Sequence, residues 1–328
     1  MFLLIRLTRL FLCACVVLSV PLFARPIYDR VKEHPDVSYA SWFTGPLLSP
    51  TPINMEPGHP AIEPFVTFGS SYGNYDNNWN LQRNGNEWFI NPYLDVQFGI
   101  TNRIGVEFLG SFISNFKQGV SSTRMQDSVI LLGFQVANDI KDSWMPDIRV
   151  DLQQVFPTGN YRHLDPDNLG VDSTGQGAFQ TGTLLIVQKQ FYPKMGRISV
   201  EASTGCLFAA DVKIQGLSAY GGGANTDGKV HPGPTLATFF SVEYSISRQW
   251  GCGFDSVYTY QGKSTFDGNT GGPSIVVGFP SSSQFALAPF VEHTFSSNMG
   301  ILIGSWCTVG GRNARAFASG YFSFLYLF

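Results

Sequence analysis

Seven carboxylates recur inside short apolar stretches of the chain. They are Asp95 in "LDVQF", Glu107 in "GVEFLG", Asp151 in "RVDLQ", Glu201 in "SVEAS", Glu243 in "SVEYS", Asp255 in "GFDSV" and Glu292 in "FVEHT". A charge among apolar neighbours is costly unless it is paired or solvated, so the chemistry open to these acids is first of all electrostatic. All but Asp151 lie a few residues from a compact turn such as "TNR" or "SRQ". If alternate residues share a face, Asn91, Tyr93 and Gln97 join the acids, and Arg149 joins through Asp151. An inward ring of carboxylates would form a cation-preferring constriction. The competing reading is a set of salt bridges and hydrogen bonds that fills a narrow interior; Arg149 and Lys189 are the few bases visible for it. Phe89, Tyr93, Phe239 and Phe290 have the same parity, which would narrow the interior and give it apolar surface.

Other chemistry is thinly represented. Of the five histidines, His34, His59, His163 and His231 fall in irregular or loop-like stretches, and His293 adjoins Glu292 in "VEHTFSSN". Parity sends His293 to the opposite face from the acids, as an interfacial ring. Nucleophilic catalysis needs a nucleophile and base within hydrogen-bond reach, and no paired motif supplies them, so no enzyme and no catalytic residue is expected. Cys206, Cys252 and Cys307 are too few and too widely spaced for a disulfide framework or a zinc site. They read as small apolar residues, and no metal or cofactor is implied. "YGGGANTDG" lacks the Lys-Ser/Thr and helix of a phosphate loop.

The elements that must position the acids have period two. "NEWFINPYLDVQFGITNRIGVEFLGSFISNF" alternates through Trp88, Ile90, Leu94, Val96, Phe98 and Ile100, turns at "TNR", and alternates again through Ile104, Val106, Phe108 and Phe112. Alternation over this length predicts strands, and the short turn predicts an antiparallel hairpin. Comparable segments lie near 62–74, 127–138, 146–156, 177–191, 197–210, 234–247, 250–262, 283–295, 299–310 and 315–328, about 12 strands in all. Strands of roughly 10–14 residues exceed those of ordinary sheets and suffice to cross a bilayer. Compact connections alternate with long Gly-, Asn-, Asp- and Ser-rich ones, which read as flexible, solvated loops. Aromatics such as Trp88, Phe191, Tyr192, Trp250, Tyr258, Tyr260 and Tyr321 sit near strand ends, as in an interfacial girdle.

Composition agrees. Of 328 residues only 14% are charged, against 44% hydrophobic and 14% aromatic; soluble domains carry about 25% charge. Arg6 and Arg9 followed by "LFLCACVVLSVPLFA" predict a secretory signal over 1–24, cleaved near Ala24. Its loss removes two arginines and no acid, moving the formal charge from −3 to −5, and nothing basic suggests a nucleic-acid partner. Residues 25–60 are proline-rich and aperiodic, an irregular periplasmic lead-in to a barrel over 61–328. The expectation is thus an all-β, closed, antiparallel transmembrane barrel with short periplasmic turns and long outer loops. Lipid tolerates no open sheet edge.

Two stretches carry a resemblance, "SWFTGPLLSPTPINMEPGHPAIEPFVTF" and "VFPTGNYRHLDPDNLGVDSTGQGAFQTGTLLIVQKQF". Together they resemble the meta-pathway phenol-degradation group of outer-membrane proteins, porin-like barrels, most specifically over Phe156–Gly177. The resemblance implies a channel for small solutes, often apolar or aromatic, in contact with outer-membrane lipid. A surface adhesin is the alternative, and a barrel enzyme a more distant one. The closing row Phe322, Phe324, Tyr326 and Phe328 resembles the signal read by the barrel-assembly machinery, and on a last strand it would face lipid.

Overall fold

The computed structural model describes residues 45–140, 142–193 and 196–328. The expected signal over 1–24, His34 and the first part of the lead-in lie outside them. Among the described residues, every regular element apart from one short helical turn, Pro166–Asn168, is a strand. In chain order they are β1 (Ala61–Tyr75), β2 (Leu81–Thr101), β3 (Ile104–Lys117), β4 (Val120–Met125), β5 (Ser128–Ala137), β6 (Asp147–Phe156), β7 (Gln180–Phe191), β8 (Ile198–Ala209), β9 (Val212–Gln215), β10 (Asp227–His231), β11 (Thr235–Ser245), β12 (Trp250–Gln261), β13 (Thr265–Asn269), β14 (Ser282–Ser296), β15 (Met299–Arg312) and β16 (Ala314–Leu327).

Each wall strand pairs antiparallel with the next, and the ends meet: β1 runs against β16 with Ala61 opposite Leu327 and Thr67 opposite Tyr321, and β2 pairs both β1 and β3. Leaving aside β4, β9, β10 and β13, twelve strands form one closed barrel. Alternation explains the closure. Along β2, Trp88, Ile90, Leu94, Phe98 and Ile100 are exposed on the outer surface, while Asn91, Asp95 and Gln97 are buried inside. A wall apolar without and polar within is the reverse of a water-soluble domain and suits a lipid surround. Leu185, midway along β7 and exposed on that outer surface, gives a direct check. Leu185→Arg should lower stability by about 2–4 kcal/mol in lipid, the midplane cost of a cation, read from urea midpoints in phospholipid vesicles. A shift below about 1 kcal/mol would place Leu185 away from hydrocarbon.

The barrel has two unlike ends. At the terminal end, where Ala61 meets Leu327, compact connections join β2 to β3, β7 to β8, β11 to β12 and β14 to β15. Lys189, expected among the interior bases, lies on the outer side of β7 and binds Asp139 and the carbonyls of Ile140 and Met145 in the β5–β6 connection. At the opposite, loop end the connections are long over β6 to β14. Over β15, β16, β1 and β2 they shrink to Asn313 and residues 76–80.

The long connections correct the expectation of flexible, solvated loops. β9, β10 and β13 form a second, three-stranded sheet, with Val212, Ile214, Tyr220 and Val230 packed around Ala178. The stretch that carried the resemblance is bound into this layer. Asp127 accepts from the backbone of Gly159 at 2.9 Å and Gln176 at 2.8 Å. Asp172 accepts from the Asp165 N–H at 3.1 Å and from Asn168 Nδ2 at 3.2 Å. Gly159 and Gly175 approach so closely that a Cβ on either would lie 2.7 Å from the other's Cα. Asx and hydroxyl side chains supply the turns here, so the specific residues of that stretch fold a loop.

The lead-in is corrected as well. It is irregular over its described part, but residues 47–55 lie inside the barrel rather than in the periplasm, against the polar wall near the terminal end.

Candidate functional site

The interior near the terminal end is built by in-register partners. Glu63 of β1 stands opposite Asp95 of β2, and Gln97 opposite Glu107 of β3. Gly133 of β5 faces Asp151 of β6, Gln188 of β7 faces Glu201 of β8, Ser241 of β11 lies between Glu201 and Asp255, and Glu292 of β14 faces Gly251 and Leu302. Asn91, Asp95, Gln97, Glu107, Arg149, Asp151, Glu201, Glu243, Asp255 and Glu292 are all buried on this face, Asp151 and Asp255 wholly so. Tyr93 points the same way and stacks on Phe65 at 4.6 Å, which stacks on Tyr321 at 5.3 Å.

Arg149 is the hub of one half of the belt. Its Nε donates to Asp151 at 2.7 Å and its Nη2 to Glu107 at 3.4 Å. The planar fork of a guanidinium suits two carboxylates at once. Nη1 donates to the carbonyls of Thr51 at 3.0 Å and Ile53 at 3.4 Å, both in the lead-in.

The lead-in therefore fills the belt. Leu47 packs into Ala288, Phe290, Leu302 and Tyr321. The Leu48 N–H donates to Asp255 Oδ2 at 2.6 Å, and the Ser49 N–H does so at 3.4 Å. Ser49 Oγ donates to Glu201 and lies 3.5 Å from Ser203 Oγ. Gln135 donates to the Pro52 carbonyl at 3.2 Å and accepts from the Asn54 N–H at 3.3 Å. Asn54 Nδ2 reaches the carbonyls of Arg103 and Gly133 at 3.1 and 3.2 Å. Room comes from glycines on the inward face. A Cβ at Gly105 or Gly133 would stand 2.6 Å from Asn54 Oδ1, and one at Gly99 2.8 Å from the Glu56 carbonyl carbon. A Cβ at Gly304 would collide with Leu47 Cδ1.

Sequence reasoning passed over Leu47, Ser49, Asn54, Glu63 and Gln135. The trace it could have followed is the set of glycines at lumen parity near the turns, which serve no turn themselves. From the belt upward the wall divides. On one side an apolar layer begins level with the belt, Leu131 opposite Glu107, Leu184 opposite Asp151 and Ile186 opposite Arg149, and continues through Leu109 and Val129; on the other runs an aromatic series through Phe89, Phe317 and Trp306. Phe239, expected inside, is half-buried at lumen parity, and Phe290 is buried.

Outside the wall, His293 sits between Trp250 at 4.3 Å and Phe295 at 4.8 Å, away from the acids. Phe322 and Tyr326 are exposed on the outer surface with Phe324 half-buried between them. The Phe328 N–H donates to the Pro60 carbonyl at 2.9 Å. Cys206, Cys252 and Cys307 are half-buried free thiols.

No protein-family model matches the chain, and no curated protein matches it in sequence. Solved structures do match in shape. The chain is similar to a COG4313 outer-membrane channel from Pseudomonas putida F1, with a TM-score of 0.67 at 10% identity, covering 86% of this chain and 100% of that one. Fainter likenesses are to the transport unit of the autotransporter AIDA-I from Escherichia coli, TM-score 0.45 at 10% identity, covering 93% and 99%, and to the TodX monoaromatic hydrocarbon channel, TM-score 0.37 at 9% identity, covering 83% and 89%. The first shares its fold with this chain: a barrel of the outer-membrane type.

Proposed function

We propose that the protein is an outer-membrane channel for small solutes, opened and closed by its own lead-in, with the terminal end facing the periplasm. One observation carries the reading: a closed barrel whose buried acidic belt is occupied by residues 47–55 through hydrogen bonds to Asp255, Glu201, Gln135 and Arg149. A wall meant only to be filled would close over its own side chains. Here a separate segment does the filling, and glycines make room for it. The fold shared with a channel supports the same view, and the aromatic run above the belt suits apolar or aromatic solutes, as does the resemblance to the meta-pathway group. An enzyme is disfavoured because His293, the histidine nearest the belt in sequence, lies outside the wall. The outward row ending at Phe328 supports recognition by the barrel-assembly machinery.

Once the segment withdraws, the conducting path runs between carboxylates with Arg149 as their main counter-charge, and such a ring favours cations. Planar bilayers under a KCl gradient should therefore show a cation-selective reversal potential. Glu107→Gln with Glu243→Gln should move it toward zero. Anion preference untouched by the double substitution would defeat the belt as selectivity element, and no flux of any solute in liposome swelling would defeat the channel.

A further inference from the structure

The loop-end mouth is uneven. Over β15, β16, β1 and β2 only residues 76–80 and Asn313 bound it. On this low wall the pairing of β1 with β2 breaks: Ser71 faces Glu87, but Gly73 faces Arg83. Residues 84–86, Asn-Gly-Asn, therefore bulge from the ladder, and the bulge opens a cavity of about 280 Å³ lined by Ser71, Asn74, Asn84, Glu87 and Arg315 with two glycines. Gly73 matters because it lets β1 close against β2 here: a Cβ would collide with the Gln82 carbonyl oxygen. Arg315, opposite Asn74 on β1, reaches across to Glu87 at 3.3 Å. Glu87 is held more closely from the other side, by Lys117 at 2.5 Å. One carboxylate thus answers two cations, and Arg315 has the looser share. Beneath it the guanidinium carbon stands 5.9 Å from the Phe89 ring centre. Phe89 meets Phe317 edge-on at 6.4 Å, and Phe317 meets Trp306 at 4.9 Å.

We propose that this cavity is a binding subsite for a small organic carboxylate. The ligand's carboxylate takes the Arg315 fork in place of the Glu87 oxygen now 3.3 Å away, and its carbon body fills the cavity between the Gly73 and Gly85 backbones, Asn74 and Asn84. Lys117 keeps Glu87 compensated through the exchange, so the local charge, two cations to one acid, is completed by the ligand. Arginine presents a planar, bidentate partner for a carboxylate, and the volume is at the small end of ligand pockets. The inference deepens the channel reading: it names a solute class received at the mouth of that channel, at the head of the aromatic run.

The test is calorimetric titration of the full-length barrel in detergent micelles with benzoate, and with benzyl alcohol as its uncharged counterpart. Benzoate should bind saturably and benzyl alcohol should not. Arg315→Gln should weaken benzoate by about tenfold or more, the loss expected for a hydrogen bond to a charged group. Glu87→Gln should tighten it, because the internal competitor is gone and Lys117 is released; circular dichroism of each variant reports folding. Equal binding of the two probes, or weaker benzoate binding in folded Glu87→Gln, overturns the proposal. Swelling assays on the same preparations separate it from the channel reading. Arg315-dependent binding without flux leaves the subsite standing and removes the channel, and flux without such binding does the reverse.

Discussion

Deleting residues 45–56 from the full chain should raise single-channel conductance several-fold. The lead-in makes about ten hydrogen bonds to the wall, each worth a net of about 1 kcal/mol, and the Leu47 side chain adds roughly 2 kcal/mol by burial. Ordering the nine residues from Leu47 to Met55 costs about 1–2 kcal/mol each. The two sides nearly cancel, which is the condition for a segment that leaves and returns. A deletion also strips partners from Glu201 and Asp255 and could cost the fold, so a reversible version is the sharper experiment. Ser49 Oγ and Ser203 Oγ lie 3.5 Å apart, close enough for Ser49→Cys with Ser203→Cys to be bridged after modest adjustment. In a background with Cys206, Cys252 and Cys307 changed to alanine, the oxidised double variant should stay at low conductance. Reduction should restore opening. Oxidised and reduced channels that conduct alike would show that the segment does not control the path.

The wall was legible in the sequence and its filling was not, for one physical reason. Alternation reports which face of a strand a residue takes, so Asp95, Glu107, Glu201, Glu243 and Asp255 could be assigned to the interior before any pairing was known. Twelve long segments with compact turns left a closed barrel as the arrangement in which every edge is paired. Period two is silent about what lies across the lumen. Leu48 and Asp255 are 207 positions apart, and Asn54 and Gln135 are 81 apart. An aperiodic, proline-rich segment such as "LLSPTPIN" looks the same whether it trails below a barrel or threads it. The loop layer escaped for a related reason. β9, β10 and β13 are four or five residues each, too short for alternation to show, and their glycines read as flexibility when several of them permit close backbone approach.

Arg149→Met should be the most damaging single substitution in the belt, lowering stability by about 3–5 kcal/mol, the cost of leaving buried charges without their partner. Arg149 and Asp151 side chains are almost wholly buried and Glu107 nearly so. Removing the guanidinium leaves both carboxylates without it at once and frees the carbonyls of Thr51 and Ile53. The size of the loss would not by itself show that the hub is stabilising, because a buried ion pair can be no better than an apolar group of the same shape. The decisive comparison is Arg149→Met combined with Glu107→Gln and Asp151→Asn, which deletes the charges together. The triple variant should regain most of the lost stability in urea unfolding followed by gel mobility of the folded barrel. It should still conduct more than the parent, since the grip on Thr51 and Ile53 is gone in both variants. Stability and closure therefore separate: the carboxylates need Arg149 for charge, and the lead-in needs it for hydrogen bonds. If Arg149→Met unfolds within about 1 kcal/mol of the parent, or if the triple variant conducts no more than the parent, Arg149 does not join the belt to the lead-in.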